Sequence, residues 1–270
     1  MSWFWVVCVA GAAGVLGGLL GVGGSTVLIP GWTAALGRNL HLYQAAAMAV
    51  NVVVAVGATL RHRRAGVLVP VVLRWMIPAA VAGILAGVLL SNSPVFRGAG
   101  AAWLSRGFSV FLIYVAWMNL RKLLSVGRPG GGKRDTPVTP PHRHLVPGSL
   151  VCGLLMGLAA GLLGIGGGAL AVPLQQRLLG LPLRSAIGNS SAVMCVSAAA
   201  GAWLKNTTLP THSAPGVPLF WWSGLLIAAV AAPLAFLGAR LGARWTHTLP
   251  LPVVRGLYVV LMLLAAWRMW

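Results

Sequence analysis

Apolar runs of roughly 20 residues fill most of this sequence, and short connections between them carry its basic side chains. A run of that length matches the thickness of a bilayer when it folds as an α-helix. Eight such segments can be read: 3–28, 42–60, 67–90, 101–124, 147–172, 185–204, 218–239 and 250–270. The pattern predicts an all-α integral membrane protein with about eight hydrophobic helical segments.

Charge and composition exclude the main soluble classes. Charged residues make up 8% of the chain, whereas a soluble domain carries about a quarter. The net charge of +19 would suit a nucleic-acid partner, but the basic residues lie between apolar runs rather than on a water-facing surface. We therefore expect a multi-pass protein of the cell inner membrane, with the lipid bilayer as a partner and no nucleic acid. The first segment lacks a basic n-region, so we read it as a membrane segment and not a signal peptide.

The chain consists of two similar halves, 1–124 and 147–270, joined by a Gly/Pro-rich basic linker over 125–146. A shift of 143 places GVLGGLLGVGGSTVLIP (14–30) on GLAAGLLGIGGGALAVP (157–173). Eight of the seventeen positions are identical, among them five glycines and a proline. Duplicated halves with Gly/Pro-interrupted segments in matching places are typical of secondary transporters.

Two arrangements of the halves remain open. If each Gly-rich segment crosses the membrane once, each half has four crossings, the repeats are parallel, and the basic residues in the connections divide eleven against seven. If each Gly-rich segment breaks and returns as a re-entrant hairpin, the repeats are inverted and the division is thirteen against five. The positive-inside rule favours the inverted arrangement.

The glycine runs are the first candidate site. Glycine allows a positive backbone φ and close approach of the main chain to a ligand, and a helix that begins at such a break presents N–H groups to an anion. Spacings such as GxxxG also let helices pack closely, and we assign Gly14, Gly18, Gly157 and Gly161 to packing. The candidate binding residues are Gly21, Gly23, Gly24, Ser25, Thr26, Gly164, Gly166, Gly167 and Gly168.

A polar run in the second half is the other candidate. Asn189, Ser190 and Ser191 lie in an otherwise apolar segment, where they either bond to neighbouring helices or contact the substrate. In the first half Gln44, Met48 and Asn51 are a poorer match. There, Ala47-Met48-Ala49 stands where the second half has Gly188-Asn189-Ser190, so any polar site is asymmetric.

Acidic residues are almost absent. The sole carboxylate, Asp135, lies in the linker, so none is available within the membrane segments to relay protons or hold a divalent cation. The three cysteines include no CxxC pair. We expect no metal, no cofactor and no catalytic residue, and an acid-free pathway with basic ends should attract anions.

The quoted glycine runs, together with SAIGNSSA (185–192), LRHRRAGVLVP (60–70) and the closing stretch 232–269, resemble the sulfite exporter family named after TauE and SafE. The resemblance covers nearly the whole chain. It implies an inner-membrane permease with about eight segments that moves small, often sulfur-containing anions such as sulfite or organosulfonates. It implies no enzymatic activity.

We therefore predict a transporter, in the direction of export, of a small anionic substrate bound at the Gly-rich breaks. The alternative from another class is a non-transporting scaffold or assembly protein whose glycines serve only helix packing. An intramembrane enzyme is disfavoured, because Ser190 and Ser191 have no His within their own segment. Whether the chain forms a homo-oligomer is left open.

Overall fold

The computed structural model describes residues 3–21, 23–37, 39–93, 101–124, 142–164, 166–213 and 218–246, with isolated positions between 252 and 267. The continuous stretches form nine α-helices and no strand, as the predicted all-α class requires. They are α1 (Trp3–Leu20), α2 (Ser25–Leu36), α3 (Leu40–Arg64), α4 (Pro70–Ser91), α5 (Ala101–Leu124), α6 (His142–Leu163), α7 (Gly168–Leu178), α8 (Leu183–Thr207) and α9 (Ser223–Trp245).

Six of the described helices are long and apolar enough to cross a membrane, so the predicted multi-pass membrane protein is confirmed. The predicted count of eight is approximate. The predicted segments 3–28 and 147–172 each divide into two helices, and their second members, α2 and α7, have only 12 and 11 residues. The greater part of the predicted linker, 125–141, lies outside the described residues.

Each glycine-rich segment forms the turn of a helical hairpin. In the first half α2 runs back along α1, because the indole N–H of Trp32 in α2 donates to the carbonyl of Val6 near the start of α1 (3.4 Å). In the second half Leu179, just after α7, packs on Gly148 near the start of α6. The chain therefore leaves each hairpin at the end of the bundle where it entered.

The central helices α3 and α8 run antiparallel. Near the start of α3, the carbonyl of Ala45 accepts the amide N–H of Asn206 from the end of α8 (3.3 Å). Near the end of α3, His62 packs against Gly188 in the first turns of α8. Helix α8 ends at one end of the bundle, which we name the Lys205 end. Helix α3 ends at the opposite end, which we name the arginine end.

The first helix of each half packs on the fourth helix of the other half. Helix α1 lies parallel to α9, and α6 lies parallel to α4. A methyl group on any of the four glycines assigned to packing would strike a carbonyl oxygen of the partner helix, which confirms that assignment: Gly14 meets Ala235, Gly18 meets Ala239, Gly157 meets Ala80, and Gly161 meets Ile84.

These pairings fix the relation between the halves. Helix α4 starts at the arginine end, directly after α3, whereas α9 starts at the Lys205 end, after α8. Since α6 is parallel to α4 and α1 is parallel to α9, α1 and α6 point in opposite directions. Of the two arrangements that the sequence leaves open, the structure has the inverted one with re-entrant hairpins.

Helices α4 and α9 contribute a second internal repeat, P-x-A-x-x-G-x-x-x-G, at 78–87 and 233–242. Its offset is 155 and not 143, because the connection before α9 is longer than the connection before α4. The glycines of this motif face the same interfaces from the other side: Gly83 and Gly87 meet the α6 backbone, and Gly238 and Gly242 meet the α1 backbone. Small residues on both partners thus allow close backbone packing.

Candidate functional site

The two glycine turns meet at the centre of the bundle. A Cβ atom on Gly23 would lie 3.0 Å from the Cα of Gly166. A Cβ atom on either glycine would also contact the side chains of Asn51 and Met194. Asn51 is the twelfth residue of α3, and Met194 is the twelfth residue of α8; each helix has 25 residues. The turns therefore cross at mid-length of the two central helices, and we name this place the glycine crossing.

Backbone conformation explains why glycine is needed at the equivalent positions Gly21 and Gly164. Their φ angles are 63° and 73°, in the left-handed region that side chains rarely adopt. Both also touch the central helix of the other half: Gly21 packs on Ile187, and a Cβ on Gly164 would lie 2.5 Å from Cγ of Gln44. A larger residue would therefore be excluded by conformation and by space.

Asn51 and Ser25 form a buried polar network at the glycine crossing. Oδ1 of Asn51 accepts the backbone N–H groups of Gly24 (2.9 Å) and Ser25 (3.2 Å), and its Nδ2 donates to Ser25 Oγ (2.8 Å). Ser25 Oγ also accepts the N–H of Gly166 (2.9 Å), so that one hydroxyl joins the two halves. Both side chains are fully buried. The Asn51 oxygen thus occupies the N-terminus of α2, where an anion would bind.

Gln44 is a second polar side chain of α3 at the glycine crossing. It is fully buried against Gly164, yet neither its amide oxygen nor its amide nitrogen has a hydrogen-bond partner. An unsatisfied buried polar atom costs about 1–3 kcal/mol. An amide held in this position at such a cost is a candidate ligand contact.

The predicted glycine-run residues all lie on the two turns that cross. Thr26 Oγ1 donates to the carbonyl of Gly23 (3.3 Å) and closes the first turn. In the second turn Gly167 packs on Met156, and α7 begins at Gly168. The predicted set on the two turns is Gly21, Gly23, Gly24, Ser25, Thr26, Gly164, Gly166, Gly167 and Gly168.

The three residues of the predicted polar run of α8 make different contacts. Ser190 reaches the first turn, because its Oγ donates to the carbonyl of Gly21 (3.0 Å). Ser191 bonds within its own helix, to the carbonyl of Ile187 (3.0 Å). Asn189 Oδ1 accepts the N–H of Val69 before α4 (2.9 Å), and its Nδ2 has no hydrogen-bond partner. One of the three therefore touches the glycine crossing, and the other two lie beside it.

A buried lysine lies at the Lys205 end. The Lys205 side chain is fully buried, and its Nζ contacts Nδ1 of His41 (3.1 Å) and donates to Ser91 Oγ (2.8 Å) and Asn92 Oδ1 (2.7 Å). These partners come from α3 and from the end of α4, and all are polar but uncharged when His41 is neutral. A buried amino group needs such bonds, because burial removes it from water. We name this group the Lys205 cluster.

From the sequence alone, Asn51 and Gln44 are poorer candidates than the polar run of α8, and Lys205 is one of the basic residues at the segment ends. All three can be identified by aligning α3 with α8 at the same offset of 143 residues that aligns the two glycine runs. It pairs Gln44 with Ile187, Asn51 with Met194, and Lys205 with His62, which is also fully buried.

That offset also corrects an alignment. Ala47-Met48-Ala49 does not stand opposite Gly188-Asn189-Ser190, because α3 and α8 begin at Leu40 and Leu183 and so keep the 143 register. Ala45, Ala46 and Ala47 are the true counterparts of that tripeptide.

The glycine crossing offers neutral hydrogen-bonding groups rather than metal ligands. Among the described residues, no three or more His, Cys, Asp or Glu side chains gather where an ion could be held. Two helices, α2 and α7, begin at the crossing, and their N-termini carry partial positive charge. The arrangement suits a small anion that is held by amides and hydroxyls.

Comparison with known proteins gives one family and three relatives. The sequence profile of the family described as sulfite exporter TauE/SafE matches residues 6–269. Proteins named "probable membrane transporter protein MamO" from Paramagnetospirillum magneticum and Magnetospirillum gryphiswaldense are 28% and 29% identical over 98% and 96% of this chain, which spans only 44% and 43% of their lengths. A "probable membrane transporter protein" of Haemophilus influenzae is 26% identical over 100% of this chain and 99% of its own. No solved structure matches.

Proposed function

The chain belongs to the sulfite exporter TauE/SafE family, and from that premise we propose that it exports a small anion such as sulfite or an organosulfonate. The observation that carries the proposal is the glycine crossing, where two inverted hairpin turns meet at mid-length of α3 and α8. In secondary transporters with inverted repeats, substrates bind where broken helices of the two halves meet near the bilayer midplane.

Substrate binding replaces bonds that the protein makes to itself. The Asn51 amide oxygen accepts two N–H groups at the start of α2, and a sulfite or sulfonate oxygen would take over these bonds with the same geometry. The Gln44 amide, which has no partner in this state, would donate to a second oxygen. Ser25 and Thr26 add hydroxyls from the first turn. Contacts from Asn189, Ser190 and Ser191 remain a prediction.

Alternating access follows from the inverted repeats. In this state the Lys205 cluster ties α3, α4 and α8 together at one end of the bundle. We propose that it closes the glycine crossing on that side and must loosen when the anion passes. The pseudo-equivalent His62 lies at the arginine end and would take the corresponding place in the opposite state.

Coupling must work without a carboxylate relay, because the only carboxylate of the chain is in the linker. A negative-inside membrane potential drives an anion outward, and we propose it as the driving force. Sodium coupling through backbone carbonyls at the turns is the alternative. We propose no enzymatic activity, since Ser190 and Ser191 both donate to backbone carbonyls rather than to a base.

The scaffold alternative draws on the packing glycines, which bring α1 against α9 and α4 against α6 without any ligand. It explains the outer helix pairs well. It does not explain why α3 buries an unpartnered amide at Gln44 beside the second turn, because a packing residue there would be apolar, as Ile187 is at the equivalent place in α8.

The test is anion flux in proteoliposomes that contain the purified protein. Sulfite is compared with sulfoacetate and chloride, and the membrane potential and the sodium gradient are imposed separately. We expect saturable sulfite flux that follows the potential and does not change with sodium. A folded protein that moves none of these anions would favour the scaffold.

A further inference from the structure

A basic cavity of about 350 Å³ opens at the arginine end, away from the glycine crossing. Its lining consists of Arg61 from the last turn of α3 and of Leu237, Arg240, Leu241 and Arg244 from α9. The α9 residues follow the i, i+3, i+4, i+7 spacing of one helix face. Three guanidinium groups and two leucines therefore share one opening between α3 and α9.

Among the described residues, no acidic side chain offsets the charge of this cavity. No Asp or Glu occurs among the described residues, and the only carboxylate of the whole chain is Asp135 in the linker. Guanidinium groups that line one opening repel one another, and an anion bound among them relieves that repulsion. Arginine also binds phosphate through paired N–H groups in a fixed geometry. An external phosphate-like anion is thus the natural partner.

The apolar part of the lining identifies the source of that anion. Leu237 and Leu241 are 55% and 47% exposed on a membrane-spanning helix, so their side chains face the acyl region. One turn further on, Arg244 and the exposed Trp245 end the helix, and such residues lie at the headgroup level. A free inorganic ion would use only the arginines, whereas a phospholipid uses the leucines as well.

We propose that this cavity binds an anionic phospholipid, with the headgroup phosphate among Arg61, Arg240 and Arg244 and an acyl chain along Leu237 and Leu241. Basic pockets between membrane helices bind such headgroups in the leaflet with negative surface potential. The bound lipid bridges α3 and α9, and therefore holds α3, which carries Asn51 and Gln44, against the outer helices.

The experiment measures lipid retention by native mass spectrometry of the full-length protein, extracted from bilayers of phosphatidylglycerol and phosphatidylcholine in equal amounts. The test variant is Arg240→Gln/Arg244→Gln. The matched control is Arg63→Gln/Arg64→Gln, which removes the same charge from exposed positions of the α3 end that do not line the cavity. We expect on the order of tenfold less retained phosphatidylglycerol in the test variant and a near wild-type amount in the control.

Two further arms separate the sources of the anion. Leu237→Ser should lower phosphatidylglycerol retention while all three arginines remain, and millimolar inorganic phosphate should not displace the lipid from the wild type. Equal losses in the test and control variants, full retention in Leu237→Ser, or displacement of the lipid by phosphate would overturn the proposal. Thermal unfolding of each variant shows whether a loss reflects binding or misfolding.

Discussion

The two glycine turns share one backbone plan but differ in the side chains around them. The first turn continues into Ser25 and Thr26, and Asn51 caps it. The equivalents in the second half are Gly168, Ala169 and Met194, none of which carries a hydroxyl or an amide. The duplicated glycines thus repeat the geometry of a helix break, whereas the hydroxyls after the turn and the capping amide occur in the first half only.

The central helices show the same difference. Helix α3 presents Gln44 and Asn51 to the two turns, and α8 presents Ile187 and Met194 from the equivalent positions. At these two positions the α3 wall of the glycine crossing is polar and the α8 wall is apolar, so any site there is asymmetric rather than two-fold repeated. Substitutions on one wall at a time test this difference.

The largest effect is expected for Asn51→Leu. The variant leaves the N–H groups of Gly24 and Ser25 without the acceptor that replaces the anion when it leaves, at about 1–3 kcal/mol each. We therefore expect the first turn to lose its geometry and sulfite flux per folded protein to fall to background. Met194→Leu, a volume-conserving change on the opposite wall, should cost less than about 1.5 kcal/mol and keep its flux. Thermal unfolding and flux of both variants measure the contrast, and equal losses in the two would contradict it.

Ser25→Ala should have the next largest effect. It removes the hydroxyl that accepts from Gly166 and joins the halves, which we expect to cost about 1–3 kcal/mol and to lower flux about tenfold. The control is Ser191→Ala, whose hydroxyl bonds only within α8. If Ser191→Ala loses as much flux as Ser25→Ala, the loss is not specific to the hydroxyl of the first turn.

Lys205→Met should weaken closure of the Lys205 end, because no amino group then bonds to His41, Ser91 and Asn92 together. A cysteine at the buried position Ala45, in a chain without the three native cysteines, reports on access from water. We expect its labelling by a membrane-impermeant thiol reagent to speed up about tenfold. Thr207→Val, on the exposed side of the same helix turn, should leave the rate unchanged. No acceleration in Lys205→Met would exclude the closing role.

The smallest effect is expected for Asn189→Ala. Its oxygen caps the N–H of Val69, and loss of that bond should cost about 1 kcal/mol. Since Asn189 lies beside the glycine crossing, we expect flux to fall only about twofold to threefold. A loss as large as that of Ser25→Ala would move the main polar contact from α3 to α8.

The sequence was sufficient to predict the helix breaks, because a repeated glycine run states a backbone requirement directly. It also predicted which glycines pack and that the halves are similar. The inverted arrangement was one of two open choices, since apolar runs of equal length do not show whether a chain turns back. The contacts between Trp32 and Val6 and between Gly148 and Leu179 decide it.

The polar partners were harder to predict for a physical reason. Helix α3 is apolar around most of its circumference, so its pattern does not reveal which side faces the glycine turns. Asn51 and Gln44 therefore looked like isolated polar residues. Lys205 follows the last apolar residues of its segment, where a lysine side chain ordinarily reaches water. Only tertiary packing against α4 encloses it.

The most direct test of the asymmetric site is the paired stability and sulfite flux of Gln44→Leu, with Ile187→Leu as the control at the equivalent position of α8. Gln44→Leu removes two buried polar atoms that have no partner, so the protein should unfold at the same or a higher temperature. If Gln44 contacts the anion, flux falls by about tenfold or more while stability is retained, and the control keeps both. Wild-type flux in stable Gln44→Leu protein would contradict the account.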